Sequence, residues 1–389
     1  MSVIFRGIEN IMDNGETKKQ ILMNDFRAQW KTIHDSAIQA VERVGKSGWL
    51  VLGKEVASFE SELARFCSLP FAVGCGSGLD ALEISLRCLS LKPGDKVLTT
   101  PLSAFATSLA IIRAGGVPVF VDVDDSGLLD LALAGQVLEK QNDIRFMVPV
   151  HLYGHVLNLI QLEDLKKRFD LSIVEDCAQV IGGKSHNIPA GSVGDCAAMS
   201  FYPTKNLGAM GDGGAVLTKS ASYAEHAKCL RDYGQISKYE HAFRGLNSRL
   251  DELHAAILHD ALMPLLTKFT KRRKEIASRY CSEINNPLIL IPPKPEGSES
   301  VWHLFPVLIK GNRRLFQNYL SRESIAFGIH YPILIPDQKA LNNTVGGQLL
   351  TSLRNALFFA DQEISLPIHP YLTEQQIEQI IFTCNAWQG

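Results

Sequence analysis

A chain of 389 residues is too long for one ordinary small domain and predicts a large core with a second domain attached. Its 46% hydrophobic content and mean hydropathy of +0.03 describe a soluble globular protein with ample core-forming material. A formal charge of −2 and a pI of about 6.6 give no reason to expect nucleic acid or an anionic membrane as a partner.

The first twenty residues mix Arg6, Glu9, Asp13 and Glu16 and lack the basic start and apolar run of a signal peptide. No apolar stretch is long enough to span a bilayer, because Arg113 and Gly115-Gly116 interrupt the best one. The cysteines are scattered without C-x-x-C spacing, which favours reduced thiols. A cytoplasmic enzyme is expected.

From about residue 70, short apolar runs alternate with amphipathic segments. Strands are predicted at 71–73, 96–99, 117–121, 144–150, 171–174, 197–201 and 215–217. Helices are predicted at 79–91, 104–114 and 159–169. The alternation implies an α/β fold with a mostly parallel sheet flanked by helices. After Leu265 the pattern changes. A helix over 268–280 carries Lys271-Arg-Arg-Lys274 as a solvated face and leads into a smaller α+β part, with a strand at 301–309 and a helix at 313–322. The expected division is an N-terminal segment 1–39, a large domain 40–262 and a small domain 263–389, with the N-terminal segment adding to the small one.

Lys205 stands in Ser200-Phe-Tyr-Pro-Thr-Lys205-Asn-Leu-Gly208, ahead of a glycine-rich stretch. Asp176 stands upstream in Glu175-Asp176-Cys-Ala-Gln179, after an apolar run. A lysine able to form a Schiff base and an aspartate able to hold a pyridinium nitrogen are what pyridoxal phosphate (PLP) chemistry requires. Carboxyl ends of parallel strands are where open α/β sheets bind ligands. Cys75-Gly-Ser-Gly78-Leu79-Asp-Ala81 follows a strand and opens a helix, a place suited to phosphate. The same string matches a dinucleotide fingerprint, but the next strand ends Leu98-Thr-Thr-Pro101 without the acidic residue that ribose needs. Phe105, near a helix start, could stack on a flat ring, although alone it reads as a core residue. Ser248 could simply cap the helix that follows Asn247-Ser-Arg249-Leu-Asp251-Glu252. The histidines and cysteines form no metal-ligand spacing, so no metal site is expected.

Together these stretches, with Ser47-Gly-Trp-Leu-Val-Leu-Gly53-Lys-Glu55, Val150-His-Leu-Tyr-Gly154 and Gly211-Asp-Gly-Gly214, resemble the PLP-dependent sugar-nucleotide aminotransferases that include DegT and StrS. The resemblance runs from about Ile21 to the C-terminus and implies the type I fold of aspartate aminotransferase. It makes Lys205 the Schiff-base lysine and proton shuttle and pairs Asp176 with the pyridine nitrogen. It sets Gln179 and Phe105 against the two ring faces. Gly78, Leu79 and Ser200 would hold the phosphate, and Asn247 would reach the phosphate of a neighbouring subunit, which implies a homodimer with shared sites. Lys238, Tyr239, Arg249, His330 and Tyr331 fall in stretches that resemble the sugar-binding side. Glutamate is the implied amino donor. The acceptor is a keto-sugar nucleotide, most like a dTDP-linked 3-keto-6-deoxyhexose, with UDP-linked 3-keto or 4-keto sugars as alternatives. The implied setting is deoxyamino-sugar biosynthesis, as for lipopolysaccharide O-antigen. His155 and His254 replace glutamines common in the family, and residues 1–20 have no counterpart. A nicotinamide-dependent sugar oxidoreductase and a non-catalytic regulator of the same fold are the readings from other classes.

Overall fold

The computed structural model describes residues 20–341 and 348–389, so the first nineteen residues of the N-terminal segment lie outside the described residues. At the centre is an eight-stranded sheet. It contains β1 (Phe71–Cys75), β2 (Lys96–Thr99), β3 (Val117–Phe120), β4 (Phe146–Val148) and β5 (Ser172–Asp176), together with the strands Cys196–Ser200, Gly214–Thr218 and Gln348–Leu349. Across the sheet the order is β1, Gly214–Thr218, Cys196–Ser200, β5, β4, β2, β3, Gln348–Leu349. Gly214–Thr218 runs antiparallel to both neighbours, and every other pairing is parallel. Apart from the exposed edge strand Gln348–Leu349, the strands are buried almost throughout, as expected for a sheet covered on both faces.

Helices cover the sheet and set its loops. α1 (Phe26–Ser47) starts at Asp25, whose carboxylate accepts the Ala28 N–H at 2.9 Å. α2 (Lys54–Phe66) begins at Gly53, and its cap comes from far along the chain. Glu252, buried, accepts the N–H groups of Gly53 at 2.9 Å, Glu55 at 3.0 Å and Val56 at 2.8 Å. α3 (Gly78–Cys88) packs against Cys196–Ser200 and Gly214–Thr218, and α4 (Phe105–Arg113) packs against α3.

A second apolar core gathers Ile276, Tyr280, Phe305, Phe316 and Ile380 around a three-stranded antiparallel sheet, Ile289–Leu290, Phe305–Ile309 and Glu363–Leu366. Ile21 joins this core and bridges to Ile325. Ala356 and Phe359 return to the large core, just after Gln348–Leu349 has paired with β3.

The strand predicted at 301–309 begins only at Phe305, because Val301 to Leu304 lie against the loop at Tyr153 and Gly154 instead. The helix predicted at 268–280 runs from Met263 to Glu283. Its basic run is not one solvated face, since Arg273 is buried while Lys271 and Lys274 are exposed. The sequence pattern predicts none of the helices Phe26–Ser47, Lys54–Phe66, Leu131–Lys140, Ala221–Arg231, Arg354–Gln362 and Glu374–Ala386. Among the described residues, no helix is long and apolar enough to cross a membrane.

Candidate active site

Ser77 caps α3, its hydroxyl accepting the Asp80 N–H at 3.1 Å. The N–H groups of Gly78 and Leu79, at the first two helical positions, have no intrahelical acceptor and stand at the positive end of the helix dipole. A Cβ on Gly78 would lie 2.6 Å from Cβ of Ser200, so only glycine lets that serine approach the helix start. The loop is fixed from below by Ser248, which accepts the Gly76 N–H at 2.9 Å and donates to Asp80 at 2.8 Å. Ser248 is therefore not the cap of the following helix. Asp251 occupies that position. The sequence placed Ser248 as a local cap because its partner lies 172 residues away.

β5 extends two residues past its apolar run and ends on Asp176. One carboxylate oxygen accepts the Thr107 hydroxyl at 2.9 Å and the other accepts the Ala178 N–H at 3.1 Å. Thr107 lies in the first turn of α4, which Phe105 opens, so the predicted aromatic and the aspartate are brought to one end of the sheet. Phe105 also packs against Phe120, Ile335 and Leu341. Gln179 accepts the Tyr153 N–H at 2.7 Å and donates to the Tyr331 hydroxyl at 3.3 Å.

Lys205 follows Cys196–Ser200 in a turn closed by its own N–H to the Tyr202 carbonyl at 2.8 Å. Among the described residues its Nζ makes no hydrogen bond or ion pair. Burial lowers its pKa to about 8, against the opposing pull of the Asp176 charge. Asp176 is raised by its own burial, although Thr107, the Ala178 N–H and the Lys205 charge counter this. The half-buried amine and the buried carboxylate thus each feel the other's charge.

Beside Asp176, His151, Glu175 and Cys177 bring their ligand atoms within 4.8 Å of one another, a cluster that the sequence did not reveal. Its hydrogen bonds are already used internally. The Leu157 N–H donates to Nδ1 of His151 at 3.2 Å, which leaves the proton on Nε2, 2.8 Å from Glu175. Glu175 also accepts the N–H groups of Gly191, Val193 and Gly194.

The residues predicted on the sugar side separate into two groups. Tyr331 reaches the site through Gln179. His330 is held by its N–H on Glu363 at 2.6 Å, by its carbonyl accepting the Tyr153 hydroxyl at 2.6 Å, and by Nδ1 against Ser365 at 2.8 Å. Burial, with Lys205 second, lowers the His330 ring to about 4. Glu363 is pushed up to about 8 by burial and was not foreseen, since it stands in an ordinary strand. His303, which bonds Asn206 at 3.2 Å, is another unforeseen neighbour of Lys205. Lys238 and Tyr239 instead occupy the turn of an exposed hairpin, Gln235–Ser237 with Glu240–His241, and no hydrogen bond or ring contact among the described residues joins them to the Asp176 cluster. Arg249 is tied to Asp232 at 2.8 Å and lies over the Tyr233 ring, and Asn247 beside it is exposed.

Over 369 residues, covering 93% of its length and 98% of the relative, the chain is 40% identical to the erythromycin biosynthesis sensory transduction protein EryC1 of Saccharopolyspora erythraea. It is 37% identical to the dTDP-3-amino-3,4,6-trideoxy-alpha-D-glucose transaminase of Streptomyces venezuelae, covering 93% of this chain and 95% of that one. The crystal structure of S. venezuelae DesV superposes with a TM-score of 0.90 at 36% identity, covering 95% and 99% of the two chains. The model of the DegT/DnrJ/EryC1/StrS aminotransferase family matches residues 31–384, and the chain belongs to that family, with its type I PLP-dependent fold.

Proposed function

We propose that this chain transfers an amino group from glutamate to the 3-keto group of a dTDP-linked 6-deoxyhexose, working as a homodimer. The observation that carries the reading is the electrostatic coupling of half-buried Lys205 to buried Asp176, beside the open N-terminus of α3. The family's cofactor is PLP, and the donor set fits it. The free N–H groups of Gly78 and Leu79 with the Ser200 hydroxyl suit a phosphate. Asp176 suits a protonated ring nitrogen, and the unpaired Lys205 amine suits covalent attachment. When bound, the cofactor supplies an electron sink for amino transfer.

The chain's own part is to bind, orient and move protons. Thr107 and the Ala178 N–H fix the direction of the Asp176 carboxylate. Gln179, held by Tyr153 and Tyr331, would form one wall of the ring pocket, with Phe105 on the other. Lys205, once free, is an amine that changes protonation near neutral pH, as a general base requires. The dTDP 3-keto assignment is supported by the Streptomyces venezuelae transaminase. The homodimer is supported by the exposed Asn247 and by an apolar patch in which Trp49 and Leu50 are each 62% exposed.

EryC1 carries a regulatory name, so a non-catalytic role is the second reading. The retained lysine–aspartate pair favours catalysis. The deciding experiment incubates the PLP-loaded protein with glutamate and a panel of dTDP- and UDP-linked 3-keto and 4-keto sugars, with mass analysis of the products. An aminated dTDP sugar substituted at C3 is expected. No aminated product from any of them would overturn the reading.

A further inference from the structure

Arg273 lies within the helix Met263–Glu283 and is 5% exposed. Its Nη1 donates to the carbonyl of Ile368 at 3.0 Å and, at 3.4 Å, to those of Trp302 and His303. Among the described residues, Nε and Nη2 meet no acceptor, and no carboxylate pairs with the group. A guanidinium stays charged at any working pH, so a full buried charge is left to carbonyl dipoles alone. Burial lowers its pKa to about 10, with no acidic neighbour acting against it.

Arg273 lines a narrow cavity of ≈ 20 Å³, room for one small polar group entering it. Lys205, Asn206, Asn24, Asp25 and Tyr371 line the same cavity. Asp25 does not neutralise the arginine, because it forms no ion pair with it and one of its oxygens caps α1. The Tyr371 hydroxyl is also buried with no partner in hydrogen-bonding geometry, although Thr32 is near. His303 sits close enough to both cations to feel them. Burial first, then the charges of Lys205 and Arg273, hold its ring well below the ordinary value. An unpaired guanidinium beside the reactive lysine calls for an anion with two oxygens in a plane.

We propose that Arg273 is the anchor for one carboxylate of the amino donor, in the cavity it shares with Lys205. This rests on the reading of the chain as an aminotransferase fed by a dicarboxylic amino acid. The carboxylate would take the fork of Nε and Nη2, while the Nη1 bonds to Ile368, Trp302 and His303 hold the fork in place.

Glutarate has both carboxylates of glutamate and no amino group, so it tests the subsite apart from amino transfer. Calorimetric titration of the PLP-loaded enzyme with glutarate should show binding that Arg273→Gln weakens roughly 10–100-fold, the loss of charge-assisted hydrogen bonds. Arg273→Lys should recover only part, since it restores the charge without the planar fork. Each variant should raise the glutamate concentration for half-maximal conversion by about the factor by which it weakens glutarate, and leave the KM for the sugar nucleotide unchanged. Should the variants fail to fold, a crystal of the wild type grown with glutarate should show a carboxylate within hydrogen-bonding distance of Arg273. Equal glutarate affinity in wild type and Arg273→Gln, or a water alone at Arg273 in that crystal, overturns the subsite. A wild type that binds glutarate at Arg273 but accepts no amino group from glutamate keeps the subsite and overturns the donor.

Discussion

Burial shifts both Lys205 and Asp176, and the charge of each opposes the shift of the other. Burial disfavours the ammonium, so the lysine's pKa falls from 10.5 to about 8, and the Asp176 charge limits the fall. The amine is therefore protonated below that pH and neutral above it. In cofactor-free protein, the rate of Lys205 acylation by an amine-directed reagent should rise with a midpoint near pH 8, read by peptide mass mapping. A midpoint at the ordinary value of 10.5 would count against the buried geometry. Asp176→Asn removes the opposing charge, so the midpoint should drop further. The same variant should retain cofactor yet lose most turnover, because an unprotonated ring is a poorer electron sink. Lys205→Ala should lower amino transfer by at least the roughly 10²–10⁴-fold that a placed base supplies. Borohydride reduction should tether the cofactor to the wild type and not to this variant. Undiminished transfer by Lys205→Ala would remove the lysine from the mechanism.

The start of α2 and the loop before α3 are held by residues distant in sequence. The two carboxylate oxygens of Glu252 accept three N–H groups at the start of α2, and Ser248 clamps the loop that leads into α3. Removing a buried acceptor strands the donors it served, which costs more than an average hydrogen bond. Glu252→Ala should thus destabilise the fold by about 2–4 kcal/mol, measured by urea unfolding, and Glu252→Gln by roughly half as much. Loss of less than about 0.5 kcal/mol in the alanine variant would show that water replaces the carboxylate without penalty. α3 carries neither Lys205 nor Asp176, yet Ser77 and Ser248 at its start fix the glycine loop.

At the scale of the molecule, the open question is whether one chain builds a complete site. Trp49, Leu50, Leu253 and Met210 are exposed around one region, since the Glu252 N–H bonds the Leu50 carbonyl and Gly211 lies against His254. An apolar patch of this kind suits a two-fold interface. The exposed Asn247, Lys238 and Tyr239 would then serve a partner's site rather than their own chain's. Mixing Lys205→Ala with Asn247→Asp tests this. Asn247→Asp is expected to be inactive by itself, as it sets a carboxylate against a phosphate. With composite sites, a mixed dimer carries one site with both defects and one with neither, so subunit exchange should restore part of the activity. No recovery after proven exchange would show that each chain is self-sufficient.

Local pattern sufficed for seven of the eight strands of the sheet and to single out Lys205 and Asp176. Strand 117–120 is a continuous apolar run and 96–99 has an apolar centre, and burial on both faces makes their signal strong. Lys205, Asp176 and the Gly78 loop were legible because each stands in a short string whose chemistry is local. Helices Leu131–Lys140 and Ala221–Arg231 escaped because their apolar stripes are broken by glycine, alanine and charged residues, and packing on the sheet decides them. The start of the strand at Phe305 was decided by backbone bonds from Val301 and Leu304 to the loop at Gly154 and Tyr153. Tertiary structure alone brought Thr107 to Asp176, Ser248 to Gly76 and Glu252 to α2, at separations of 69, 172 and 196 to 199 residues. It alone turned Arg273 inward from a basic run. Sequence spacing records which residues share a helix face, whereas burial depends on what the rest of the chain packs against that face.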